Sequence, residues 1–419
     1  MNRVKELAEK YFDYAVSMRR EFHRHPEPSM KEERTCSRII EELESLGLKP
    51  KKAAGTGVVC EIKGTKKVKS SKTAALRADM DALELEEKNE VDYKSENDGL
   101  MHGCGHDGHT ASLLTAAKIL NDLKAEFAGT VKLIFQPGEE IAVGAKTMVK
   151  EGVVKDVDAI FGIHIWNDLE SGKISVEAGP RMAAVNQFII NIQGEGGHGS
   201  MPHQGVDPIM AGAAVVMNLQ TIVSREFDPM EPAVLSVDIF NSGSKGNVLP
   251  DSSYLEGTTR CFSREINHDF EGIIARVAQE TAASYRAEVE LEYNKMTLPL
   301  INDQEISATA KKAAAEVSGQ GSIVKLDKTT GGEDFSFFAA EVPAAFAFVG
   351  SRNEAKGADA PHHHPEFNID EEALKTASGL YAQFASTLIL PVGRSIQRWI
   401  PIIPSTSSNT PSSTILAAP

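Results

Sequence analysis

The chain has 419 residues, more than one compact core usually holds, so we expect two domains. Its hydrophobic and charged contents, 41% and 25%, are those of a globular protein, and the net charge of -15 argues against nucleic acid or an anionic membrane as a partner. The four cysteines, Cys36, Cys60, Cys104 and Cys261, are too scattered for a disulfide framework, which favours a reducing cytoplasm.

The first 48 residues are predicted to be helical. Residues 1–20 mix charges of both signs and lack the apolar core of a signal peptide, and no later stretch approaches the roughly 18 apolar residues of a membrane span. Residues 2–48 predict two helices, the second containing Arg38–Leu46 with Gly47 as its C-cap. Between them, Phe22–Pro28 is predicted to form a turn that carries two histidines.

From Val58 onward, short apolar strands alternate with helical segments. The predicted strands are Val58–Ile62, Thr73–Arg77, Val131–Gln136 and Ala159–Ile165, and the main helix between them is Thr110–Phe127. Strands that alternate with helices predict an α/β sheet with helices packed on it.

The middle of the chain has a different pattern. It predicts, in order, a strand, a helix, two strands, a helix and a strand: Phe188–Gln193, Pro208–Ser224, Ala233–Phe240, Tyr254–Phe262, Phe270–Ser284 and Glu288–Tyr293. This β-α-β-β-α-β order is the ferredoxin-like arrangement, and its length suits a self-contained domain inserted into a larger one.

The first pattern then resumes. It predicts a helix at Glu305–Val317, another near Asp334, a strand at Ala345–Val349 and a helix from Asp370 to about Leu390. We therefore predict a discontinuous domain of residues 1–181 and 298–391 around an inserted domain of residues 182–297. Residues 392–419 carry no charge after Arg398 and are predicted to be a disordered tail.

The segment Gly103–His109 places a thiol, two imidazoles and a carboxylate in one glycine-rich turn. Glycines let the chain fold tightly around a small object, and cysteine with histidine suits zinc and similar metals. A glycine-rich helix entry with incidental polar residues is the alternative for this segment alone.

Four further segments supply polar groups, mostly at predicted strand ends. Arg77–Asp81 ends a strand, although a helix cap or surface ion pair explains it equally well. Gln136–Glu140 carries adjacent glutamates, of which one could bind a metal and the other face its water, or both could form an acidic turn. His164 could be a ligand or a satisfied core histidine, and Pro361–Pro365 leaves open which of its three histidines would bind.

Together these groups provide thiolate, imidazole and carboxylate ligands for one or two metal ions, with a spare carboxylate. Such a set at the carboxyl edge of an α/β sheet suits metal-assisted hydrolysis, in which the free carboxylate takes the proton of the attacking water.

Seven short motifs along the chain match those of a known protein family. They resemble the amidohydrolase branch of the M20 metallopeptidase family over about residues 5–390, a branch that includes N-acyl-amino-acid amidohydrolases, hippurate hydrolases, auxin-conjugate hydrolases and related carboxypeptidases. The matching segments are Arg77–Leu83, Gly103–His109, Gln136–Glu140, Gly196–His203, Asn247–Pro250, Gly332–Phe335 and His363–Phe367.

The resemblance implies a role for each matching residue. Glu139 would be the general base. Asp79 would contact one of the metal-binding side chains and orient it without binding the metal itself. His198 and Asn247 would approach the substrate from the lid, commonly that of a neighbouring subunit, and Arg260 would help to hold the substrate carboxylate. The implied metal ligands are Cys104, His106, Glu140, His164 and His363. Asp107 and His109 are interpreted as supporting residues and not as ligands.

The resemblance also implies a fold and an activity. The fold is a zinc-peptidase-like mixed-sheet catalytic domain with an inserted lid that mediates a homodimer or higher oligomer. Two divalent ions (Zn, Mn, Co or Ni) would support hydrolysis of an N-acyl-L-amino acid to a carboxylate and a free amino acid. The alternative is a carboxypeptidase or dipeptidase on the same scaffold, and a metal-binding homologue without catalysis is a more distant one.

Overall fold

The computed structural model of the protein describes residues 2–66 and 71–389. Ten α-helices occur in these ranges. They are α1 (Arg3–Lys10), α2 (Phe12–Arg24), α3 (Glu33–Ser45), α4 (His106–Asp122), α5 (Gly144–Lys150), α6 (Pro208–Thr221), α7 (Arg264–Ala283), α8 (Gln304–Ser318), α9 (Ser336–Glu341) and α10 (Glu372–Ile389).

Fifteen strands occur in the same ranges. They are β1 (Lys51–Ala53), β2 (Gly57–Lys63), β3 (Thr73–Asp79), β4 (Thr130–Gln136), β5 (Ala159–Glu170), β6 (Ile174–Ser175), β7 (Gly179–Met182), β8 (Ala184–Gln193), β9 (Gly197–His198), β10 (Ala233–Ser242), β11 (Val248–Leu249), β12 (Ser252–Cys261), β13 (Glu288–Lys295), β14 (Leu300–Asn302) and β15 (Ala344–Arg352).

The larger sheet has seven strands in the order β1-β2-β4-β3-β5-β15-β6. Its centre, β4-β3-β5-β15, is parallel, and antiparallel strands lie on both sides, so the sheet is mixed. The α/β prediction is therefore confirmed. Because parallel strands end at one edge, the residues that follow β3 and β4 lie together with the end of β15.

This sheet is covered on both faces. One apolar core packs α1–α4, α8 and α10 against it, with Phe161, Leu133 and Tyr381 among the fully buried side chains. A second core packs α5 and α9 on the other face around Phe335 and Phe346. Burial on both faces explains why β3 to β5 and β15 are nearly continuous apolar runs without alternation.

The N-terminal region differs from its prediction. Three helices precede residue 48 where two were predicted, because the backbone leaves the helical conformation at Tyr11. A single-residue break does not disturb the apolar periodicity from which helices are predicted. Phe22 and His23 also belong to α2, so the predicted turn begins only at His25.

Gly47 ends α3 as predicted. It has φ of 74°, and its N–H donates to the Glu44 carbonyl while that of Leu48 donates to the Leu43 carbonyl. This pair of bonds is a Schellman motif, which requires the left-handed conformation that glycine adopts without strain. The C-cap prediction is therefore confirmed.

The second sheet has four antiparallel strands in the order β10-β12-β8-β13. Helices α6 and α7 pack on it, and the elements follow one another as strand, helix, strand, strand, helix and strand. Their shared core includes Phe188, Val215, Leu255 and Phe270 and is separate from the two cores of the larger sheet.

Two predictions concern membrane spans and the C-terminal tail. Among the described residues, no helix combines the length and apolar character needed to cross a bilayer. The tail predicted at residues 392–419 lies outside the described residues.

Candidate metal centre and active site

The carboxyl edge of the larger sheet gathers the predicted site residues from four parallel strands. Asp79 ends β3, Glu139 and Glu140 follow β4, and His164 lies within β5. His363 lies in the segment between β15 and α10. These residues are far apart in sequence and come together because parallel strands end at the same edge.

Cys104 and His106 flank the start of α4. Gly105 is the N-cap of this helix and has φ of 89°, a conformation that favours glycine. The turn brings the Cys104 thiol and the His106 ring to the same pocket, and both side chains are buried. The segment Gly103–His109 therefore forms a tight turn at the start of α4 that places two possible metal-binding atoms in the pocket.

The donor atoms of the five predicted ligands converge. The sulfur of Cys104 lies 3.6 Å from Nε2 of His164. Oε1 of Glu140 lies 3.9 Å from Nε2 of His106 and 3.6 Å from Nε2 of His363. Of five groups of donor atoms within 4.8 Å of one another among the described residues, three contain at least two of the predicted ligands: Cys104–His106–His164, Cys104–Glu140–His363 and His106–Glu139–Glu140.

Two buried atoms in these groups have no hydrogen-bond partner among the described residues. They are Nε2 of His106 and Oε1 of Glu140. Buried polar atoms are normally paired, so these two face a missing partner. A thiol, three imidazoles and a carboxylate are donors that zinc and other first-row divalent ions accept, so the donor set fits such an ion.

The charge balance of the pocket points the same way. Burial raises the pKa of Glu140 to about 7. Burial and then repulsion from Glu333 and Glu140 raise the pKa of Glu139 well above its usual range. Burial and then Glu140 likewise raise the pKa of the Cys104 thiol. The protein alone disfavours these negative charges, and a divalent cation would stabilise them.

The structure distinguishes the three consecutive histidines. His363 shares a donor group with Cys104 and Glu140, and its φ of 63° is unusual for a non-glycine residue. Its backbone N–H donates to the Gly103 carbonyl at 2.9 Å, which joins the two ligand segments. His362 instead points its Nε2 at the Ile165 carbonyl, and exposed His364 accepts from the Glu366 N–H.

Asp79 and Asp81 both lie beside His106, but they face different nitrogens of its ring. Asp79 accepts hydrogen bonds from His109 and Arg77, and it lies 3.7 Å from Nε2 of His106. Asp81, to which the sequence reasoning gave no role, faces Nδ1 of His106 with its carbonyl oxygen at 3.0 Å and Oδ1 at 3.3 Å. Because Nδ1 of His106 donates a hydrogen bond to Asp81, Nε2 carries no proton and is free to bind a metal. The signal for Asp81 was its place in the same strand-end motif as Asp79.

A buried ionic cluster supports the glutamate side of the pocket. Arg77 is fully buried and pairs with Asp79 at 2.7 Å, Asp334 at 2.9 Å and Glu333 at 3.0 Å. Burial raises the pKa of Asp334 to about 8 even though Arg77 opposes the shift. The Asp334 N–H lies 3.4 Å from Oε1 of Glu139. The motif around Glu333 and Asp334 was noted in the sequence, but its contact with Arg77 was not predicted.

Asp107 and His109, which were interpreted as supporting residues, lie outside the donor groups that contain Cys104, although His109 shares a donor group with Asp79 and His106. Asp107 accepts from Arg19 and contacts His23, each at 2.8 Å. His109 lies between Asp79 and the backbone of Ile165.

The three predicted substrate residues lie on the unit built around the four-stranded sheet. His198 and Asn247 are neighbours, since the Gly199 N–H donates to the Asn247 carbonyl at 3.0 Å. Arg260 lies on β12, where its guanidinium donates to the Thr259 carbonyl. Among the described residues, no hydrogen bond or ion pair joins these three to the five predicted ligands. The structure therefore brings the ligands and Glu139 together but not the substrate residues.

A mixed sheet whose carboxyl edge gathers these donors beside a spare glutamate is suited to metal-assisted hydrolysis. The chain belongs to peptidase family M20/M25/M40, whose model matches residues 75–387. It is therefore a hydrolase of linear amide bonds.

Individual relatives cover nearly the whole chain. It is 39% identical to N-acetylcysteine deacetylase of Bacillus subtilis over 90% of this chain and 98% of the relative. It is 37% identical to thermostable carboxypeptidase 2 of Saccharolobus solfataricus over 92% and 96%. A solved dinuclear metal-binding M20 peptidase of Bacillus subtilis superposes with a TM-score of 0.79 at 36% identity, covering 91% of this chain and 99% of that one.

Proposed function

We propose that this protein hydrolyses the amide bond of N-acyl-L-amino acids to a carboxylate and a free amino acid. The observation that carries the proposal is the convergence of Cys104, His106, Glu140, His164 and His363 beside Glu139. The similarity to a deacetylase of N-acetylcysteine supports an acylated amino acid as the substrate class.

The five donors would hold two divalent ions (Zn, Mn, Co or Ni), as the similarity to a dinuclear peptidase supports. Ions in that position would polarise the amide carbonyl and lower the pKa of the attacking water. Asp81 holds the His106 ring by its Nδ1, so its Nε2 stays directed into the pocket. Protein side chains would carry out the proton transfers and stabilise the oxyanion.

Glu139 is the proposed general base. Its carboxylate takes the proton of the attacking water and then delivers it to the nitrogen of the departing amine. The Asp334 N–H, 3.4 Å from Oε1, and the nearby Glu333 limit the positions that the Glu139 side chain can take. Burial and then the carboxylates of Glu333, Glu140 and Asp334 raise the pKa of Glu139 and so favour its protonated form, which is the form that the second transfer needs.

His198 is the proposed donor to the oxyanion. Its Nδ1 accepts the Ser200 N–H at 3.1 Å, so the ring proton stays on Nε2 and is free to donate. Asn247 lies beside it and would contact the substrate, and Arg260 would hold the substrate carboxylate. Since the contacts of these residues are local, we propose that they reach the pocket when the unit carrying them closes or comes from a second subunit.

We propose that residues 182–297 form an inserted ferredoxin-like domain that serves as this lid, and that residues 1–181 and 298–391 form the catalytic domain. Two separate sheets with separate cores support this division. We also propose that the protein acts on a small-molecule substrate and is located in the reducing cytoplasm. The location is supported by four cysteines that are all free and buried.

A carboxypeptidase or dipeptidase is the second candidate function, and the similarity to a thermostable carboxypeptidase favours it. A substrate panel separates the two candidates. Metal-free protein is reconstituted with Zn, Mn, Co or Ni and given N-acetyl amino acids, N-benzoyl amino acids and dipeptides, and release of the free amine is measured. We expect hydrolysis of the N-acyl substrates. Turnover of dipeptides alone would replace the proposal by the alternative, and no turnover would leave a metal-binding homologue.

We propose a homodimer formed through the inserted domain. Strand β10 lies at the edge of its sheet, and neighbouring apolar side chains are exposed, including Met217 at 70%, Met210 at 53% and Phe240 at 40%. An exposed sheet edge beside exposed apolar side chains is typical of a self-association surface.

Charges on this surface should separate the subunits. We expect Met217→Glu combined with Met210→Glu to shift the mass measured by multi-angle light scattering from twice 45.3 kDa to a single chain. Metal content should be retained and turnover should fall, because His198 would no longer reach the neighbouring pocket. A wild-type protein that is already a fully active monomer would contradict the dimer, and a variant that stays dimeric would contradict this surface.

A further inference from the structure

The backbone of Ile165 lies at the junction of three histidines, which contact its N–H and its carbonyl in two successive peptide units. Its N–H donates to Nε2 of His109 at 2.8 Å. Its carbonyl faces Nδ1 of His164 at 2.7 Å and Nε2 of His362 at 3.0 Å. The rings come from α4, β5 and the segment after β15, so the backbone of one residue joins three parts of the pocket wall.

The direction of these bonds follows from the ring chemistry. A ring nitrogen that accepts an N–H carries no proton, so the proton of neutral His109 is on Nδ1. That nitrogen lies 2.5 Å from Oδ1 of Asp79 and donates to it. On the other side, the Ile165 carbonyl accepts from Nδ1 of His164, which leaves Nε2 of that ring unprotonated. This Nε2 is the atom that lies 3.6 Å from the Cys104 sulfur.

The two helper histidines are held tightly. His109 is fully buried, and a side chain at Gly108 would meet Cδ1 of Ile165 at 2.6 Å, so α4 approaches Ile165 as closely as glycine allows. The His362 ring packs against Trp166 and Phe367, with centroid distances of 4.6 and 4.9 Å. These contacts restrict both rings to positions beside the Ile165 backbone.

We propose that Asp79, His109 and the backbone of Ile165, held at both its N–H and its carbonyl, orient His164 toward a divalent ion, and that His362 braces the same carbonyl. His109 and His362 are thus positioning residues for one of the two ions. This inference rests on the proposed metal site. In this arrangement Asp79 positions His164 through His109, while Asp81 positions His106 directly.

The inference predicts an unequal effect on the two ions. His164 shares a donor group with Cys104 and His106, whereas His363 shares one with Cys104 and Glu140. Loss of a partner behind a ligand histidine lowers metal affinity by about 10–100-fold. We therefore expect His109→Leu and His362→Phe to weaken one ion by this factor and to leave the other unchanged. His362→Phe keeps the aromatic packing and removes only the donor.

The experiment titrates metal-free protein with Co²⁺ alone and follows the visible and thiolate charge-transfer spectra, so it needs no turnover. His164→Ala identifies the binding step that belongs to His164. His109→Gln, which keeps an acceptor for the Ile165 N–H, should recover most of the affinity that His109→Leu loses. His364→Phe, in the same segment but exposed, should bind both ions as the wild type does.

The outcomes separate the inference from the proposed function. A wild-type protein that binds no Co²⁺ overturns the metal site itself. Two ions in the wild type with unchanged affinities in His109→Leu and His362→Phe overturn only the positioning arrangement. Equal loss of both ions, together with a lower melting temperature of the metal-free variants, makes the two histidines purely structural and also overturns it.

Discussion

Replacement of Glu139 by glutamine is expected to lower kcat by about 10²–10⁴-fold, the range over which a positioned general base acts. Glutamine has nearly the same shape and still offers an oxygen to the Asp334 N–H, but it cannot take a proton from water. The metal-free melting temperature should not fall, because the change removes one of several carboxylates that repel one another in this pocket. Metal content by mass spectrometry should stay at the wild-type value.

Glu366→Gln is the matched control for this prediction. Glu366 lies close in sequence to His363, but its side chain is 62% exposed, so turnover should be unchanged. If Glu139→Gln retains more than about a tenth of the wild-type kcat, another group removes the proton and the general-base assignment is wrong. A variant that has lost its metal would instead make Glu139 a ligand.

Much of the site could be predicted from sequence because its donors lie in short motifs at strand ends. Cys104 and His106 stand two residues apart, and Glu139 and Glu140 are adjacent, so each pair is visible without a structure. The parallel sheet then brings the motifs together by a general rule for this fold class. The choice among His362, His363 and His364 needed the family resemblance, because three consecutive histidines have no distinguishing pattern.

The supporting contacts could not be predicted because their partners are distant in sequence. His109 reaches the Ile165 backbone across 56 positions, and Arg77 reaches Asp334 across 257. Composition and periodicity carry no information about such pairs. Asp81 was missed for another reason, since two aspartates in one motif offered equivalent chemistry and only geometry separates them.

The same limit explains the errors in helix boundaries. Helix α4 begins at His106, four residues before the predicted start, since Gly105 can adopt the left-handed N-cap conformation that lets the polar heptad enter the helix. Apolar periodicity detects only the later turns. Helix α7 begins at Arg264, six residues before the predicted start, because the Ser263 side chain caps a polar first turn.

Replacement of Arg19 by methionine is expected to destabilise the protein by about 3–5 kcal/mol, the usual cost of removing one partner of a buried ion pair. Arg19 and Asp107 are both fully buried and pair at 2.8 Å, which joins α2 to the first turn of α4. Burial raises the pKa of Asp107, but Arg19 and then His23 outweigh it and hold that pKa well below its usual range. Without Arg19, the Asp107 carboxylate would keep only the His23 ring and the Gly108 N–H against the cost of burial.

Arg20→Met is the matched control, because Arg20 is the next residue of the same helix and shares Glu371 with Arg19. Its side chain is 36% exposed, so water replaces much of the lost pairing and we expect a loss of at most about 1 kcal/mol. Urea unfolding of the metal-free variants, followed by circular dichroism, measures both changes. Equal losses in the two variants would mean that the Arg19–Asp107 pair adds nothing beyond a surface contact. A large difference would instead show that the first turn of α4, which carries the proposed ligand His106 next to Asp107, depends on its ion pair with α2.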